Sequence, residues 1–417
     1  MKSNPFRAAG IFLRNYFHHD ALLYGGVEFT FWAAFAAAAF TSAHLAQVGF
    51  SSSSVGVIMA LVSVMGIIAS PIIGDISDKI GAPRKMFMIC AVISSAFYFF
   101  VPQLLDVKLG PLNLGVAAIL LWSFFSRPMQ GLCEGWVVSA ADKRRTFTFG
   151  SVRYFGSISY AVVCMIFGRI AKWLGSQGFT FPAYGLLCIP ILALCFYARH
   201  DDAPVKKKDK SAAGHIGVRA AVKNYYLIMF LICHCFIRLP MNCATTFVPY
   251  KLLEIAGDTS ALGTLTSIRA LAEIPILMFG TYIVKKIGIK NLFVLDIALF
   301  GIAQVLFATA NSIWQLTLAM LLMGTGYGAH LLGQVNYVYR ITPKESASSA
   351  QSLAVSFAMA AAVIGYLVGG VLVEAFTTSG LFWFMFALEV ASLIMFLGTF
   401  PLGRLLGKKE PDLSHIV

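Results

Sequence analysis

Twelve apolar segments follow one another along the chain, each close to the ~20 residues that a helix needs to cross the hydrocarbon core of a membrane. Of the 417 residues, 58% are hydrophobic and 12% are charged, whereas soluble domains carry roughly 25% charged residues. The alternating strands of a membrane β-barrel are not part of the pattern. The sequence therefore predicts an all-α membrane protein and excludes an ordinary soluble enzyme. The predicted spans are 21–48, 53–74, 86–105, 112–140, 149–174, 179–198, 225–250, 259–284, 290–310, 312–339, 347–375 and 379–403.

Positive charge is distributed unevenly between the two sides of the predicted spans. The chain carries 32 Lys and Arg against 19 Asp and Glu, a formal net charge of +13. If the N-terminus is cytoplasmic, three quarters of these Lys and Arg residues fall in the tails and the cytoplasmic loops. We therefore expect both termini to be cytoplasmic in a multi-pass plasma membrane protein, in bacteria the inner membrane. The basic charge then reports topology, and no nucleic acid is expected as a partner.

A polar segment at 199–223 divides the spans six and six. We interpret it as a cytoplasmic linker between an N-terminal six-helix bundle at 1–198 and a C-terminal one at 224–417. The halves also resemble each other, because residues 55–81 match 262–288 and both stretches end in Lys-Ile-Gly. A repeat that coincides with this division indicates duplication of a six-helix unit.

The loop after the second span reads Gly74-Asp75-Ile76-Ser77-Asp78-Lys79-Ile80-Gly81-Ala82-Pro83-Arg84-Lys85. This stretch closely resembles the loop 2–3 signature of the major facilitator superfamily, whose members are membrane transporters. Gly74 would permit close approach of helices, and Asp78 would face the positive N-terminus of a helix. A solvated turn with positive-inside charges is the alternative. The resemblance implies a gating role for Gly74, Asp78, Lys79, Gly81, Arg84 and Lys85.

Two further stretches narrow the resemblance. Residues 149–158 contain Gly150-Ser151-Val152-Arg153-Tyr154-Phe155-Gly156-Ser157, which is similar to a segment of the lactose permease branch and its oligosaccharide, nucleoside and phenylpropionate proton symporters. Ala272-Glu273-Ile274-Pro275 resembles the Glu-Ile-Pro element of the same branch. The resemblance implies the major facilitator fold, with 12 transmembrane helices in two pseudo-symmetric six-helix bundles, a midplane site and alternating access. It also implies that Arg153 and Glu134 grip the substrate.

Ionisable side chains within the spans are the main candidates for function. Each charge costs about 3 kcal/mol on insertion scales, so most of them must pair with one another or line a wet cavity. These residues are Glu28, Arg127, Glu134, Arg153, His234, Arg238, Arg269, Glu273, Asp296, His330 and Glu389.

Helical spacing groups some of these candidates into a substrate site. Arg127 and Glu134 share a face of the fourth span, near Trp122 and Trp136. Carboxylates that accept ring hydroxyls, with an aromatic ring packed on the ring face, are typical of a sugar or nucleoside site. A structural ion pair of Glu134 with Arg153 is the alternative. The predicted substrate-binding residues are Glu28, Trp122, Arg127, Glu134, Trp136, Arg153, Arg238, Asn242, His330 and Gln334.

Proton coupling is predicted at three residues of the second half. Arg269 and Glu273 are four residues apart and can pair within one helix, so Glu273 can load and lose a proton as the arginine changes partner. His330 is a further candidate because imidazole titrates near neutrality. A static buried pair and a hydrogen-bonded core histidine are the alternatives. Asp296 and Glu389 fall on spans that are peripheral in the related fold, and we interpret them as structural or as coupled partners.

Nothing in the sequence predicts a metal site, a cofactor or an enzyme activity. All eight cysteines fall within spans, so we expect reduced, buried thiols. Cys233-His234-Cys235 does not predict a metal site, because consecutive helical residues point about 100° apart. The glycines lack the Gly-Lys-Ser/Thr sequence of a phosphate-binding loop. The expected energy source is the proton gradient.

These features predict a secondary active transporter that imports a small polar organic solute by proton-coupled symport. A sugar or oligosaccharide is preferred. A nucleoside or an aromatic carboxylate is the alternative, the latter because of the four arginines within the spans. A transporter-like solute receptor or sensor is the alternative of another class. The expected partners are the solute, protons and the lipid bilayer, and we expect a monomer.

Overall fold

The computed structural model of the protein describes residues 18–110, 112–147, 149–198, 224–343, 347–411 and 413. Within these ranges the chain is helical apart from short loops and a small antiparallel hairpin. The predicted linker at 199–223 lies outside the described residues. The elements up to residue 198 are α1 (His19–Ala38), α2 (Thr41–Gln47), α3 (Ser52–Ile80), α4 (Pro83–Phe99), α5 (Val101–Leu104), β1 (Lys108–Leu109), β2 (Leu112–Asn113), α6 (Leu114–Ser126), α7 (Met129–Arg144), α8 (Phe149–Leu174) and α9 (Thr180–Tyr197). Those after residue 224 are α10 (Tyr225–Ala256), α11 (Leu262–Met278), α12 (Gly280–Ala308), α13 (Ile313–Ile341), α14 (Ala347–Phe376) and α15 (Thr378–Leu405).

Nine helices in the described part of the chain are long and apolar enough to cross a membrane. The other three predicted spans are also helical, but they are shorter or interrupted. Helices α4 and α11 have 17 residues each, and the span predicted at 112–140 is divided into α6 and α7. The structure thus confirms the all-α membrane class, and it corrects the predicted length or continuity of three spans.

A proline explains the interruption between α6 and α7. Helix α6 ends at Ser126, and Pro128 stands immediately before the first residue of α7. Proline lacks the backbone N–H of an ordinary helical residue, and its ring clashes with the preceding turn. The helix predicted without a break over 112–140 is therefore two helices that meet at Arg127.

The described residues group into two compact units. The first lies within Met1–Thr41 and Val64–Lys207, and the second within Ser42–Ser63 and Lys208–Val417. The N-terminal part of α3 is therefore counted with the second unit, whereas the sequence assigned it to the first bundle.

Small residues explain why the N-terminal part of α3 packs with the second unit. The Ser52 hydroxyl donates a hydrogen bond of 3.0 Å to the carbonyl oxygen of Gly370 on α14. A Cβ atom at Gly56 would lie 2.3 Å from the carbonyl oxygen of Tyr366. A side chain at this position would therefore separate α3 from α14.

The sequence repeat has a counterpart in the backbone. Gly81 and Gly288, which end the matching stretches 55–81 and 262–288, have φ angles of 68° and 77°. Glycine adopts this left-handed region without the steric cost that a Cβ atom imposes. At Gly81 the backbone N–H donates to the carbonyl oxygen of Ser77, 2.9 Å away, and closes the end of α3. Both halves thus turn at the same repeat position for the same steric reason.

Candidate functional site

A stacked pair of side chains forms the centre of the candidate site in the first unit. The guanidinium carbon of Arg153, on α8, lies 4.4 Å from the centroid of the Trp32 ring on α1. A cation at this distance from an indole face is attracted by the ring quadrupole. A Cβ atom at Gly156, one turn after Arg153, would lie 2.3 Å from Cδ1 of Trp32. Gly156 therefore makes the space in which the indole ring lies beside α8.

Glu134, on α7, extends this pair. Its Oε1 atom lies 3.9 Å from Nε of Arg153 and accepts a 2.9 Å hydrogen bond from Nε2 of Gln130. The side chains of Arg153 and Glu134 are 30% and 34% exposed. Nη1 of Arg153 is buried and has no hydrogen-bond partner within the described residues. The site thus offers a partly exposed carboxylate and guanidinium group, with one buried arginine nitrogen left without a partner in the described residues.

Glu28 is hydrogen-bonded to the indole ring of Trp32. The carboxylate of this fully buried residue accepts hydrogen bonds from Nε1 of Trp32, at 3.1 Å, and from Sγ of Cys133, at 3.8 Å. The first of these bonds joins residues one turn apart on α1. Glu28 therefore orients Trp32, and its own carboxylate is not exposed to a solute in this structure.

Three other residues of the first unit that the sequence predicted to bind substrate do not join the group of Trp32, Glu134 and Arg153. They are Trp122, Trp136 and Arg127. The Trp122 ring stacks on Tyr98 with centroids 4.4 Å apart, and Trp136 packs edge-on against Tyr24. Both indoles are buried, so the expectation that they offer a flat surface to a solute is wrong for this structure. Arg127 is exposed, and its aliphatic stem lies over Gly66.

A second polar group in the first unit lies at the start of α1. Asp20 accepts hydrogen bonds from Nη1 of Arg144 and, at 2.7 Å, from the hydroxyl of Thr146. These bonds join α1 to the end of α7, where Arg145 adopts a φ of 53°. They position α7, and thereby Glu134, against α1.

Two arginines of the second unit converge on one phenol ring. The guanidinium carbons of Arg238, on α10, and Arg269, on α11, lie 5.5 Å and 5.9 Å from the centroid of Tyr327 on α13. Nε of Arg238 is buried without a partner in the described part of the chain. Asn242 donates to the carbonyl oxygen of Arg238 at 2.8 Å, and Gln334 is half-buried farther along α13. The arrangement concentrates positive charge beside an aromatic face.

His330 is not placed to contact a solute. The residue is fully buried, and both ring nitrogens are already in hydrogen-bond contact with protein. Nδ1 lies 2.6 Å from Oδ2 of Asp296, and Nε2 lies 3.1 Å from Nδ1 of His234. The structure therefore contradicts a substrate-binding role for His330 in this conformation and places it in a buried polar line.

Glu273 is half-buried on α11, in a stretch that α13 approaches closely. A Cβ atom at Gly324 would lie 2.1 Å from the carbonyl oxygen of Arg269, and one at Gly328 would lie 3.0 Å from that of Glu273. The two glycines are four residues apart and form a small-residue face of the kind that lets membrane helices approach closely. This face holds α13 against the turn of α11 that carries the predicted coupling pair.

The motif at 74–85 divides into exposed and buried residues. Lys79 pairs with Asp75 at 2.6 Å on the exposed end of α3, and Asp78 and Lys85 are exposed as well. Arg84 is buried, and its Nη1 donates a 2.6 Å hydrogen bond to the carbonyl oxygen of Cys195.

Gly74 does not provide the close helix approach that the sequence suggested. Within the first unit, a Cβ atom at this position would meet no atom within 4 Å. Packing within this unit therefore does not explain why position 74 carries a glycine.

The described residues contain no group of three side chains arranged to hold a metal ion. None of the eight cysteines forms a disulfide; seven are buried, and Cys235 is partly buried. The Cys233-His234-Cys235 sequence does not form a shared site, because His234 contacts His330 whereas Cys235 donates to the carbonyl oxygen of Phe357.

Comparison with known proteins identifies membrane transporters as relatives of this chain. The profile of the MFS_1 like family matches residues 22–384. The uncharacterized transporter YwbF of Bacillus subtilis is 23% identical over 304 residues, which are 73% of each chain. Lactose permease of Citrobacter freundii is 24% identical over 267 residues, 58% of this chain and 60% of the permease.

A solved structure with the same fold is that of the nucleoside transporter NupG. It covers 92% of this chain and 99% of its own, with a TM-score of 0.78 and 17% sequence identity. This likeness confirms the fold that the motif at 74–85 implied. The family match extends over both units. The chain therefore belongs to the MFS_1 like family of major facilitator transporters and is not an enzyme.

Proposed function

We propose that the protein imports a small polar organic solute by proton-coupled symport and alternating access. The observation that carries this proposal is the arrangement around Arg153. Its guanidinium group lies between the Trp32 ring, at 4.4 Å, and the Glu134 carboxylate, at 3.9 Å, with one buried nitrogen that has no partner in the described residues. A buried donor without a partner costs free energy, and a bound ligand can offset that cost.

A sugar or oligosaccharide fits this chemistry best. A sugar ring presents apolar C–H faces, which pack on an indole, and hydroxyl groups, which donate to a carboxylate and accept from a guanidinium group. Trp32, Glu134 and Arg153 supply these three partners within one unit. One relative is named a lactose permease, which agrees with this choice. A nucleoside offers the same ring hydroxyls, and a structural neighbour is named a nucleoside transporter.

An aromatic carboxylate is the second candidate, and a separate observation favours it. Arg238 and Arg269 both approach the face of Tyr327. A carboxylate could accept from the two guanidinium groups while its aromatic ring packs on the phenol. This ligand would bind in the second unit, so substitutions at Arg238 would weaken it more than substitutions at Glu134.

Proton coupling is proposed at Glu273 with Arg269, and at His330. No cofactor is needed, because the proton gradient is the energy source. Glu273→Gln, which keeps shape but cannot titrate, should exchange solute across a vesicle membrane without accumulating it. A variant that still accumulates solute against its gradient would contradict a coupling role for Glu273.

The remaining proposals concern the protein in its membrane. We place both termini in the cytoplasm of a plasma membrane protein that works as a monomer with the solute, protons and lipid as its partners. The exposed residues Asp78, Lys79 and Lys85 of the loop motif are assigned to gating, together with Gly74, Gly81 and Arg84. Fusions of alkaline phosphatase and of a fluorescent protein to the C-terminus test the orientation, because only the second should be active in the cytoplasm.

The proposed function is tested in two steps. A thermal-shift screen of sugars, nucleosides and aromatic acids identifies solutes that stabilise the purified protein. Counterflow in proteoliposomes then separates a transporter from a solute receptor, since a receptor binds without exchange. Accumulation driven by a pH gradient separates a symporter from a facilitator. Binding without counterflow, or counterflow that no proton gradient can drive uphill, would contradict the proposal.

A further inference from the structure

Four ionisable side chains of the second unit meet where no solvent reaches them. His234 on α10, Asp296 on α12 and His330 on α13 are 0% exposed, and Glu389 on α15 is 1% exposed. Ionisable groups within membrane spans are costly, and those that face a bundle interior mark ion or proton routes. The cluster therefore calls for a role beyond packing.

Three of these residues form a continuous line. His330 contacts Asp296 through Nδ1, at 2.6 Å, and His234 through Nε2, at 3.1 Å. The two imidazole rings are nearly parallel, with an interplanar angle of 14° and centroids 5.0 Å apart. At the far end of the line, the ring of His234 lies against the backbone of Ala354.

This line can hold one additional proton without moving a heavy atom. With Asp296 ionised and both imidazoles neutral, Nδ1–H of His330 donates to Asp296, and Nδ1–H of His234 donates to Nε2 of His330. A proton that arrives at Oδ1 of Asp296, which has no partner in the described part of the chain, makes this carboxyl group neutral and leaves the hydrogen bonds from His330 and His234 in place. Every contact remains a hydrogen bond, and the net charge of the line changes from −1 to 0.

Charged and titratable neighbours face the line from the packed helices. Arg238, one turn after His234 on α10, acts electrostatically on both Asp296 and His330. Asp296 acts electrostatically on Glu389 of α15, and Tyr337 lies beyond His330 on α13, beside Phe293. The positive charge of Arg238 balances the line before a proton binds, which makes the unprotonated state tolerable in a buried site.

An aromatic layer closes the line on one side. Phe230, Phe293, Tyr337 and Phe396 come from four different helices and pack on one another, with centroids 4.8 Å apart for Phe230 and Tyr337 and 5.4 Å for Phe293 and Phe396. The layer lies toward the start of α10 and the end of α13. It contains few polar atoms, so it separates the line from that end of the unit.

Buried polar side chains lie on the side of the line that faces away from the aromatic layer. Gln304 is fully buried on α12, eight residues and about 12 Å after Asp296. A Cβ atom at Gly301, between them, would lie 3.8 Å from Cβ of Glu389. Oδ1 of Asp296, both carboxylate oxygens of Glu389 and both amide atoms of Gln304 are buried with no hydrogen-bond partner in the described part of the chain. Buried polar atoms are rarely left in this state, so a row of them indicates a route for a polar species.

We propose that Asp296, His330 and His234 store the coupled proton, and that Glu389 and Gln304 line its route from the end of the unit where α12 ends at Ala308. The inference rests on the proposed proton symport and deepens it. It gives Asp296 and Glu389, which the sequence suggested were structural or coupled partners, a direct part in proton transfer.

The test compares energised and passive transport in proteoliposomes with three labelled probes, lactose, uridine and phenylpropionate. For one proton per solute, a pH gradient of one unit supports about tenfold accumulation. Asp296→Asn and His330→Gln should lower the accumulation ratio to about 1 while counterflow continues. Gln304→Leu should reach the wild-type ratio about tenfold more slowly. His44→Gln, at a buried histidine of α2, is the matched control and should accumulate solute as the wild type does.

The outcomes separate the inference from the proposed function. Wild-type counterflow of a probe without accumulation overturns symport and the inference with it. Accumulation of about tenfold by Asp296→Asn or His330→Gln overturns the inference and leaves symport intact. Equal loss of counterflow and accumulation in both variants, in protein of unchanged thermal stability, also overturns it, because the cluster would then serve the whole transport cycle.

A second measurement needs no transported solute. Infrared difference spectra of the purified protein between acidic and alkaline buffers report carboxyl groups that gain a proton. The wild type and His44→Gln should share a buried-carboxyl signal that Asp296→Asn lacks. A signal that is unchanged in Asp296→Asn overturns the inference.

Discussion

Trp32 lies in a space that Gly156 leaves open. The ring edge of Trp32 is so close to α8 that a Cβ atom at Gly156 would lie 2.3 Å from Cδ1 and 3.0 Å from Nη1 of Arg153. The same ring accepts the Arg153 guanidinium group on its face and donates through Nε1 to Glu28. One glycine thus determines whether the aromatic, cationic and acidic groups of the candidate site can meet.

Gly156→Ala should therefore weaken solute binding. The added methyl group displaces the indole ring and removes a cation–π contact that contributes about 0.5–2 kcal/mol, which corresponds to roughly 2–30-fold in affinity. The measurement is the dissociation constant of the tightest solute found by thermal shift. Gly185→Ala is the control, because a Cβ atom there makes an ordinary contact of 3.4 Å. Equal affinities in the two variants would disprove the packing argument.

Glu134→Gln should reduce affinity without unfolding the protein. The amide keeps an acceptor for Gln130 but loses the charge that faces Arg153 and the solute. Hydrogen bonds to charged groups contribute about 1.5–3 kcal/mol, so we expect affinity to fall roughly 10–100-fold.

The control for this variant is Asp142→Asn, an exposed acid on the same helix. It should bind solute as the wild type does. A structural ion pair makes the opposite prediction for Glu134→Gln, namely a lower unfolding temperature with unchanged affinity. The two measurements together therefore decide between the substrate role and the structural one.

Much of the architecture is predictable from the sequence because the membrane leaves few choices. The length of an apolar segment predicts whether it forms a helical span, since backbone groups in lipid must find their hydrogen-bond partners within a helix. The repeat that the sequence shows in Lys-Ile-Gly has its counterpart in the equivalent turns at Gly81 and Gly288. Residues 112–140 are too apolar to reveal their division, and only Pro128 marks it.

The candidate site was predictable only in part, because spacing along one helix does not determine which side chains meet across helices. Glu134 and Arg153 were chosen correctly as neighbours, but the aromatic partner is Trp32 rather than Trp122 or Trp136. The position of Trp32, one turn after Glu28, was the available signal. Tyr327 had no comparable signal, since its two arginines come from different helices.

Arg84→Gln should destabilise the protein even though Arg84 belongs to the loop motif. Its Nη1 atom donates to the carbonyl oxygen of Cys195 in the last turn of α9, where a positive charge also favours the helix dipole. Loss of a charged hydrogen bond in a buried position should cost about 1.5–3 kcal/mol. A thiol-reactive fluorophore can follow unfolding, because seven of the eight cysteines are buried and none is bridged.

The neighbouring Lys85 provides the comparison for Arg84. Its side chain is exposed, so Lys85→Gln should leave the unfolding temperature within about one degree of the wild type, as is usual for surface substitutions. If both variants unfold like the wild type but transport more slowly, Arg84 acts in gating and not in holding α9.

Gly324→Ala should separate α13 from α11 and thereby disturb Arg269 and Glu273. A Cβ atom at Gly324 would lie 2.1 Å from the carbonyl oxygen of Arg269 and 2.9 Å from Cβ of Ala272, and a backbone atom cannot rotate away as a side chain can. Overpacking of this kind costs about 1–3 kcal/mol, which equals or exceeds the ~1 kcal/mol that alanine gains over glycine in a helix. Gly398→Ala, where a Cβ atom meets nothing within 4 Å, should keep that gain and unfold at the wild-type temperature or above it. An equal change of unfolding temperature in both variants, measured by the fluorophore assay, would mean that helix propensity and not helix packing determines the effect of Gly324→Ala.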